Sequence, residues 1–369
     1  MKILLTGAGG FIGRNFAWTA SGIDGIEVLP YHKDMGLASL EALAMECDAV
    51  AHLAGVNRPV READFEQGNV GFTGQLVACL EKREHACPVL FSSSVQAELD
   101  NPYGRSKLRA EKLLRAYAKA GMTEVYIFRL ANVFGKWCQP NYNSVVATFC
   151  HNIAHELPIR IDDPVRELQL VYIDDVVKAF LEALQGKSHS EDGFYKVMNS
   201  YSCTVGALAE KINGFSACRH DLTVPDMGGE LTDRLYSTYL SYLPENGFKY
   251  GLQSHVDMRG SFTEFIRTAR QGQFSVNISK PQIVKGGHWH QSKHEKFLVV
   301  SGEGVIRLRQ IDSSNVLSYH VNGHVLEVVE IPPGYVHEIE NIGTTDLVTL
   351  MWANENFDPK RPDTYRLEV

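Results

Sequence analysis

Two groups of residues in this chain have the types and spacing that chemistry needs. In "GGHWHQSKHEKFLVVSGEG", residues 286–304, His288 and His290 stand two apart and so project to one face of a strand, with Glu295 shortly after. His337 follows in "PPGYVHEIEN", just past a proline-glycine turn. Three imidazoles and a carboxylate, with positions left for water or substrate, suit zinc or a similar divalent ion. A metal-free pocket of satisfied polar residues is the alternative on the same residues. His294 alternates away from the ligands and reads as an exposed side chain or a proton shuttle.

The second group begins in "NPYGRSK", where Tyr103 and Lys107 are four apart and share one face of a helix. A lysine cation beside a phenol lowers its pKa and makes it a usable proton donor to a carbonyl oxygen receiving hydride. Upstream, "FSSSV" ends a strand, and a serine hydroxyl there can orient the same oxygen. The run Gly7-Ala-Gly-Gly10-Phe11-Ile12-Gly13 follows an apolar strand and opens a helix. Gly7 allows the tight turn, Gly10 lets backbone N–H groups approach a pyrophosphate, and Gly13 permits close helix packing. The helix N-terminus then favours negative charge. Where NAD binders place an acidic residue, this strand end reads Tyr31-His32-Lys33. Basic residues suit a 2′-phosphate, so NADPH is the predicted cofactor, with Arg14 assisting.

These residues need elements to hold them. The first ~180 residues alternate apolar β-branched runs with helix-period stretches, the rhythm of a parallel sheet covered by helices on both faces. After "PENGFKYG" one helical piece is expected, "SFTEFIRTAR", and then short strands between Gly, Pro, Asn and Asp turns, an all-β barrel or sandwich. The expected fold is therefore a doubly wound α/β domain, residues 1–246, followed by an all-β domain, residues 247–369. Its 369 residues, 44% of them apolar, suffice for two cores. The net charge of −8 disfavours nucleic acid as a partner. Neither a signal peptide nor a membrane span is legible, which predicts a cytoplasmic protein. The seven cysteines form an odd set without a C-x-x-C pair, so reduced thiols are expected and any metal falls to histidine and carboxylate.

With "DAVAHLAG" (48–55), "NVGFTG" (69–74), "FRLANVFG" (128–135) and "VYIDDVVKAF" (171–180), the first two thirds resemble an extended short-chain dehydrogenase/reductase acting on nucleotide sugars. The resemblance implies Ser94, Tyr103 and Lys107 as the catalytic triad, with Ser93 competing for the serine role. It implies cofactor contacts at Phe11, Ile12, Leu53, Ala54 and Gly55 as well as at the glycines. The order G-x-H-x-H-x(4)-E-x(6)-G, then P-x-G-x-x-H-x(3)-N, is similar to the paired motif of cupin barrels and ends at Gly302 and Asn341. In barrels of this shape that epimerise sugar nucleotides, the residue matching Lys296 contacts the sugar, so Lys296 is a catalytic candidate.

A reductase fused to such a barrel resembles the bifunctional CapF-type enzymes of capsular polysaccharide assembly. That implies C3 epimerisation of a UDP-2-acetamido-2,6-dideoxy-4-hexulose in the cupin. NADPH-dependent reduction at C4 would follow, to a UDP-N-acetyl-6-deoxy-talosamine on the route to UDP-N-acetyl-L-fucosamine. It also implies a homodimer through the cupin. The epimerase base stays open among His324, Tyr335 and Glu338, and the diphosphate contacts among Asn132 and one of Arg166, Arg234 or Arg259. Two other readings are a single-activity reductase whose cupin dimerises the chain or senses a ligand or metal, and a non-catalytic cofactor-binding regulator. The intact Ser, Tyr and Lys set speaks against the regulator.

Overall fold

The computed structural model describes residues 1–188 and 190–369. Short apolar runs rich in Val, Ile, Leu and Phe are long enough for strands buried on both faces, and five of them form one parallel sheet. They are β1 (Lys2–Thr6), β2 (Glu27–Tyr31), β3 (Ala49–His52), β4 (Val89–Ser94) and β5 (Val125–Leu130), in the order β2-β1-β3-β4-β5. Helices cover both faces. On one side Phe16 and Ala20 pack with Val176, Phe180 and Leu181, and on the other Leu40, Leu76 and Leu80 pack with Leu114 and Tyr117. Fully burying a side chain such as Phe16 or Phe180 stabilises by about 1.5–3 kcal/mol. The strand order reverses between β1 and β3, and in such sheets ligands bind at the C-terminal ends of the strands flanking that reversal. A smaller sheet follows, β6 (Asn132–Phe134), β7 (Glu167–Tyr172) and β8 (Tyr201–Thr204).

The remaining strands are antiparallel and fall in two sheets. One has the order β16-β13-β18-β11-β10-β9, the other β15-β14-β17-β12-β19. Their ranges are β9 (Ser254–Asp257), β10 (Gly260–Arg267), β11 (Gln273–Ser279), β12 (Val284–Trp289), β13 (Glu295–Ser301), β14 (Glu303–Gln310), β15 (Val316–Asn322), β16 (Val328–Ile331), β17 (Tyr335–Asn341), β18 (Leu347–Ala353) and β19 (Tyr365–Arg366). Parallel α/β first and antiparallel all-β second is the order the sequence predicts. The interior of the second unit is of two kinds. Phe297, Val299, Ile306, Leu308, Ile339 and Leu347 form an apolar core. On β11, by contrast, the buried side chains are Gln273, Ser275, Asn277 and Ser279. Gln273 and Asn277 of that strip line a cavity of about 980 Å³, the size of a small-molecule site.

The expected helix in "SFTEFIRTAR" is instead β10, paired antiparallel with β11 and bulged between Glu264 and Ile266. Phe262, Thr263, Phe265 and Ile266 are strand formers, and the Glu264–Arg267 ion pair that suggests a helix also forms across the bulge. By internal packing the chain divides into Met1–Asn213 with Asp233–Pro244, and Gly214–Thr232 with Glu245–Val369. The segment 214–232 joins the second unit because Arg267 exchanges backbone hydrogen bonds with it: Arg267 N to Leu222 O at 2.7 Å, and Val224 N to Arg267 O at 3.0 Å.

Candidate functional site

At the end of β1 the glycines are required by close approach. Gly7 has φ 74, and a Cβ there would stand 2.6 Å from Ala54 N; a Cβ on Gly13 would stand 2.0 Å from Gly7 O. The helix Phe11–Ser21 begins at Gly10 with no side-chain cap, which leaves its first N–H groups for a ligand. Ala54 and Gly55, following β3, form the other wall of the same crevice. Its bare backbone and open helix end fit the pyrophosphate of a dinucleotide. His32 and Lys33 are exposed just past β2, and Arg14, also exposed, lies over the Trp137 ring at 4.9 Å.

The helix Pro102–Gly121 starts from Asn101, whose side chain accepts from Gly104 N at 2.8 Å, with Pro102 in its first turn. This start fixes the helix face that carries Tyr103, Lys107 and Glu111. Burial pushes the Tyr103 phenol up to about 12, against a smaller lowering effect of the Ser94 hydroxyl beside it. Lys107 is buried; its ammonium donates to Ser92 O at 2.7 Å and stands 3.3 Å from where a Cβ on Gly55 would be. Burial pushes Lys107 down to about 8, with Glu111 opposing. The spacing of Tyr103 and Lys107 predicts a depressed phenol; burial raises it instead and keeps the phenol protonated, the form that donates.

Strand alternation separates the two serines. Ser93 Oγ donates to Glu111 Oε1 at 2.5 Å, and the buried Glu111 carboxylate is also held by Arg129 through Nε at 3.0 Å and Nη2 at 2.7 Å. Ser94 is the one turned to Tyr103. Glu111 lies outside the motifs, and Asn69 falls within "NVGFTG" without a role assigned to it. Asn69 accepts from Val56 N at 2.7 Å and donates to Ser106 Oγ at 2.9 Å, tying the loop after β3 to the Tyr103 helix. Asn69 lies in a π-turn, Glu66–Gly71, inside "NVGFTG", a local distortion frequent at functional sites.

In the second unit His288, His290, Glu295 and His337 each offer one ligand atom, all within 4.8 Å of one another. A bulge between Gly286 and His288 sets His288 opposite His337, facing the cavity. Glu295 Oε2 lies 3.4 Å from His290 Nε2 and 3.3 Å from His337 Nε2. Ligands on a tetrahedral zinc at about 2.0–2.1 Å stand about 3.3–3.4 Å apart. Both Glu295 Oε2 and His290 Nε2 are buried and find no hydrogen-bond partner among the described residues. These residues therefore fit a divalent ion. Burial, then His337 and His290, push His288 down to about 4. Burial disfavours the Glu295 carboxylate, but His290 and His337 beside it win and hold its pKa below the usual range. Neutral imidazole and charged carboxylate are the forms that bind metal.

Several expected residues are not brought to this cavity. Lys296 sits on the outer face of β13, opposite Trp352, and pairs with Glu330; strand alternation places it away from its neighbour Glu295. Of the base candidates, Glu338 pairs with Arg307, Tyr335 packs against the apolar core and His324 is exposed on a turn. His294 is exposed against Trp352. Arg259, gripped by Asp257 at 2.7 Å, does line the cavity, as do Lys285 and the buried Lys293. In the first unit Arg234 pairs with Asp175 at 3.0 Å, Asn132 donates to Gln169 O at 3.0 Å and Arg166 is exposed.

Residues 3–197 match the NAD dependent epimerase/dehydratase family, and residues 255–365 match the polysaccharide biosynthesis C-terminal domain. A solved structure of the capsular polysaccharide assembling protein CapF from Staphylococcus aureus superposes with a TM-score of 0.95 at 47% identity, covering 100% of both chains. The chain belongs to the CapF family. A second relative is the UDP-2-acetamido-2,6-beta-L-arabino-hexul-4-ose reductase of Pseudomonas aeruginosa, 45% identical over 100% of this chain and 99% of that protein. The UDP-glucuronic acid 4-epimerase of Bacillus cereus, at 17% identity and a TM-score of 0.55 over 66% of the chain and 98% of that one, shares the fold alone. CapF family membership thus spans both units, whereas the epimerase likeness covers about two thirds of the chain.

Proposed function

We propose that this chain is a bifunctional nucleotide-sugar enzyme of capsular polysaccharide synthesis. The second unit, a cupin barrel, inverts C3 of a UDP-2-acetamido-2,6-dideoxy-4-hexulose. The first unit then reduces the C4 ketone with NADPH, giving a UDP-N-acetyl-6-deoxy-talosamine on the route to UDP-N-acetyl-L-fucosamine. The observation that carries the reaction class is the buried Lys107 ammonium bonded to Ser92 O one turn along the helix from Tyr103, whose phenol lies by Ser94. The sugar comes from the full-length likeness to the Pseudomonas aeruginosa reductase.

Reduced nicotinamide supplies the hydride when bound. The glycine loop takes the pyrophosphate, and His32, Lys33 and Arg14 favour a 2′-phosphate by charge. Ser94 orients the C4 oxygen, Tyr103 gives it a proton, and Lys107 holds the nicotinamide ribose and favours the phenolate that results. Because Lys107 is pushed down to about 8, its cation is present below that pH and lost above it. The kcat/KM of reduction is expected to fall through an alkaline limb near pH 8. Lys107→Arg, which stays charged, should lack that limb in whatever activity it keeps. A native profile flat to pH 10 would remove Lys107 from this role.

In the barrel, zinc on His288, His290, Glu295 and His337 would supply a Lewis acid that acidifies the hydrogen next to the ketone. Arg259 and Lys285 give the cavity wall a positive side for an anionic substrate. A homodimer through the barrel is supported by the outer face of its larger sheet, where Phe274, Val276, Leu298, Leu350 and Trp352 form an apolar band. Residence in the cytoplasm is supported by the nicotinamide requirement and by seven free cysteines.

The deciding experiment incubates the full chain with the keto sugar and NADPH in D₂O. Deuterium at C3 and reduction at C4, with NADPH bound more tightly than NADH, are expected. No deuterium at C3 leaves a reductase whose barrel dimerises the chain or senses metal. Preference for NADH overturns the cofactor assignment.

A further inference from the structure

Asp363 lies about seventy residues beyond the turn that carries His290, in a segment without a motif. Its carboxylate accepts the backbone N–H groups of Gln291 at 2.9 Å, Ser292 at 3.0 Å and Lys293 at 2.8 Å, and Ser292 Oγ donates to it at 3.0 Å. Its own carbonyl oxygen stands 2.5 Å from His290 Nδ1. One residue therefore holds both the turn joining β12 to β13 and the first ligand of that turn. It does so from φ 42, a left-handed conformation uncommon for a residue with a Cβ.

The surrounding chain fixes Asp363 in place. Strand β19 pairs with β12 in the register His288 to Arg366 and Trp289 to Tyr365, and the Trp289 and Tyr365 rings stack at 4.9 Å. Lys293, only 5% exposed, donates to Pro362 O at 2.9 Å. The strap 362–366 is thus bonded to the ligand strand on one side of Asp363 and to the turn on the other.

An imidazole that donates its Nδ1 proton to a carbonyl carries its lone pair on Nε2. The His290 Nε2 is the buried atom without a hydrogen-bond partner among the described residues, 3.4 Å from Glu295 Oε2. The carbonyl of Asp363 sets this tautomer and ring angle, and its carboxylate fixes the backbone from which the ring extends.

We propose that Asp363 is a positioning residue of the metal centre, selecting the Nε2-ligating form of His290 and fixing the turn between the ligand-bearing strands. This rests on the reading of the four-residue cluster as a divalent-metal site. Asp363 itself belongs to the support of that site and acts through His290.

The test uses the full-length chain with zinc affinity read by competition with a chromophoric chelator, and cobalt(II) as a spectroscopic probe. Asp363→Ala is expected to weaken zinc about 10–100-fold, the usual effect of losing an outer-shell partner, and to change the visible cobalt spectrum. Asp363→Asn, which keeps one side-chain oxygen, should lose less. In a His290→Ala background the further loss from Asp363→Ala should nearly vanish, because the two act as one unit. NADPH binding by the first unit should be unchanged in every variant, and the metal-free unfolding midpoint of the second unit reports whether the barrel is intact. Native zinc affinity in Asp363→Ala, or fully additive losses in the double variant, overturns the proposal while leaving the metal reading in place. A native chain that binds neither zinc nor cobalt overturns the metal reading and this proposal with it. If Asp363→Ala does not fold, Asp363→Asn decides, and zinc binding by it as tight as by the native chain counts against the role.

Discussion

Tyr103→Phe is expected to lower kcat/KM for reduction at C4 by roughly 10²–10⁴-fold, the span of a lost general acid, while deuterium exchange at C3 continues at the native rate. The substitution removes one hydroxyl and little else. The Tyr103 ring packs against Phe65 with centroids 5.7 Å apart, a contact that phenylalanine keeps. Ser94 loses the phenol but retains the hydrogen bond it accepts from Gln96 N at 3.2 Å, so no buried partner is stranded. Lys107 keeps its bond to Ser92 O. The variant should therefore fold and bind NADPH as the native chain does. Following oxidation of the cofactor and the isotope content of C3 in the same sample checks both halves. Reduction at the native rate would mean that another group gives the proton. Loss of exchange together with reduction would mean that the two reactions share one site, against the two-site reading.

How much of this could be read beforehand depends on the range over which each feature is determined. The parallel sheet was legible because β1, β3 and β4 are short apolar runs between helix-period segments, a purely local pattern. Tyr103 with Lys107, and His288 with His290, were legible because a helix repeat and a strand repeat put them on common faces. Strand parity could also have placed Lys296, one residue from Glu295, on the opposite face of β13, where it meets Trp352. The resemblance to sugar epimerases outweighed that signal. Spacing gives proximity but not burial, and burial is what pushes the Tyr103 phenol up. The strand β10 was not legible as a strand because its bulge between Glu264 and Ile266 breaks the two-residue alternation that marks one. Glu111 and Asp363 had no local signature, and Asn69 was legible only as part of "NVGFTG", without its role. Each acts through contacts made only after distant segments meet: Glu111 with Arg129, Asn69 with Val56 and Ser106, Asp363 with the turn after β12.

Glu295→Gln is expected to abolish stoichiometric zinc and exchange at C3 while leaving reduction of a ketone already inverted at C3. The carboxylate is the one negative charge among the four candidate ligands, and its Oε2 lies between His290 and His337 at 3.4 and 3.3 Å. An amide there removes the charge that offsets a divalent cation in a buried place. The metal-free variant should fold, since the amide fills the carboxylate's place, but it gives up the charge that His290 and His337 favour. Native protein should gain about 4 kcal/mol from zinc present at a thousand times its dissociation constant, read as a rise in the unfolding midpoint of the second unit. The variant should show no such rise, and a chelator should remove the rise from the native chain. Zinc retained by Glu295→Gln at native affinity would remove Glu295 from the ligand set. Zinc lost with exchange intact would assign the metal to holding the barrel and leave proton abstraction at C3 to side chains of the cavity wall.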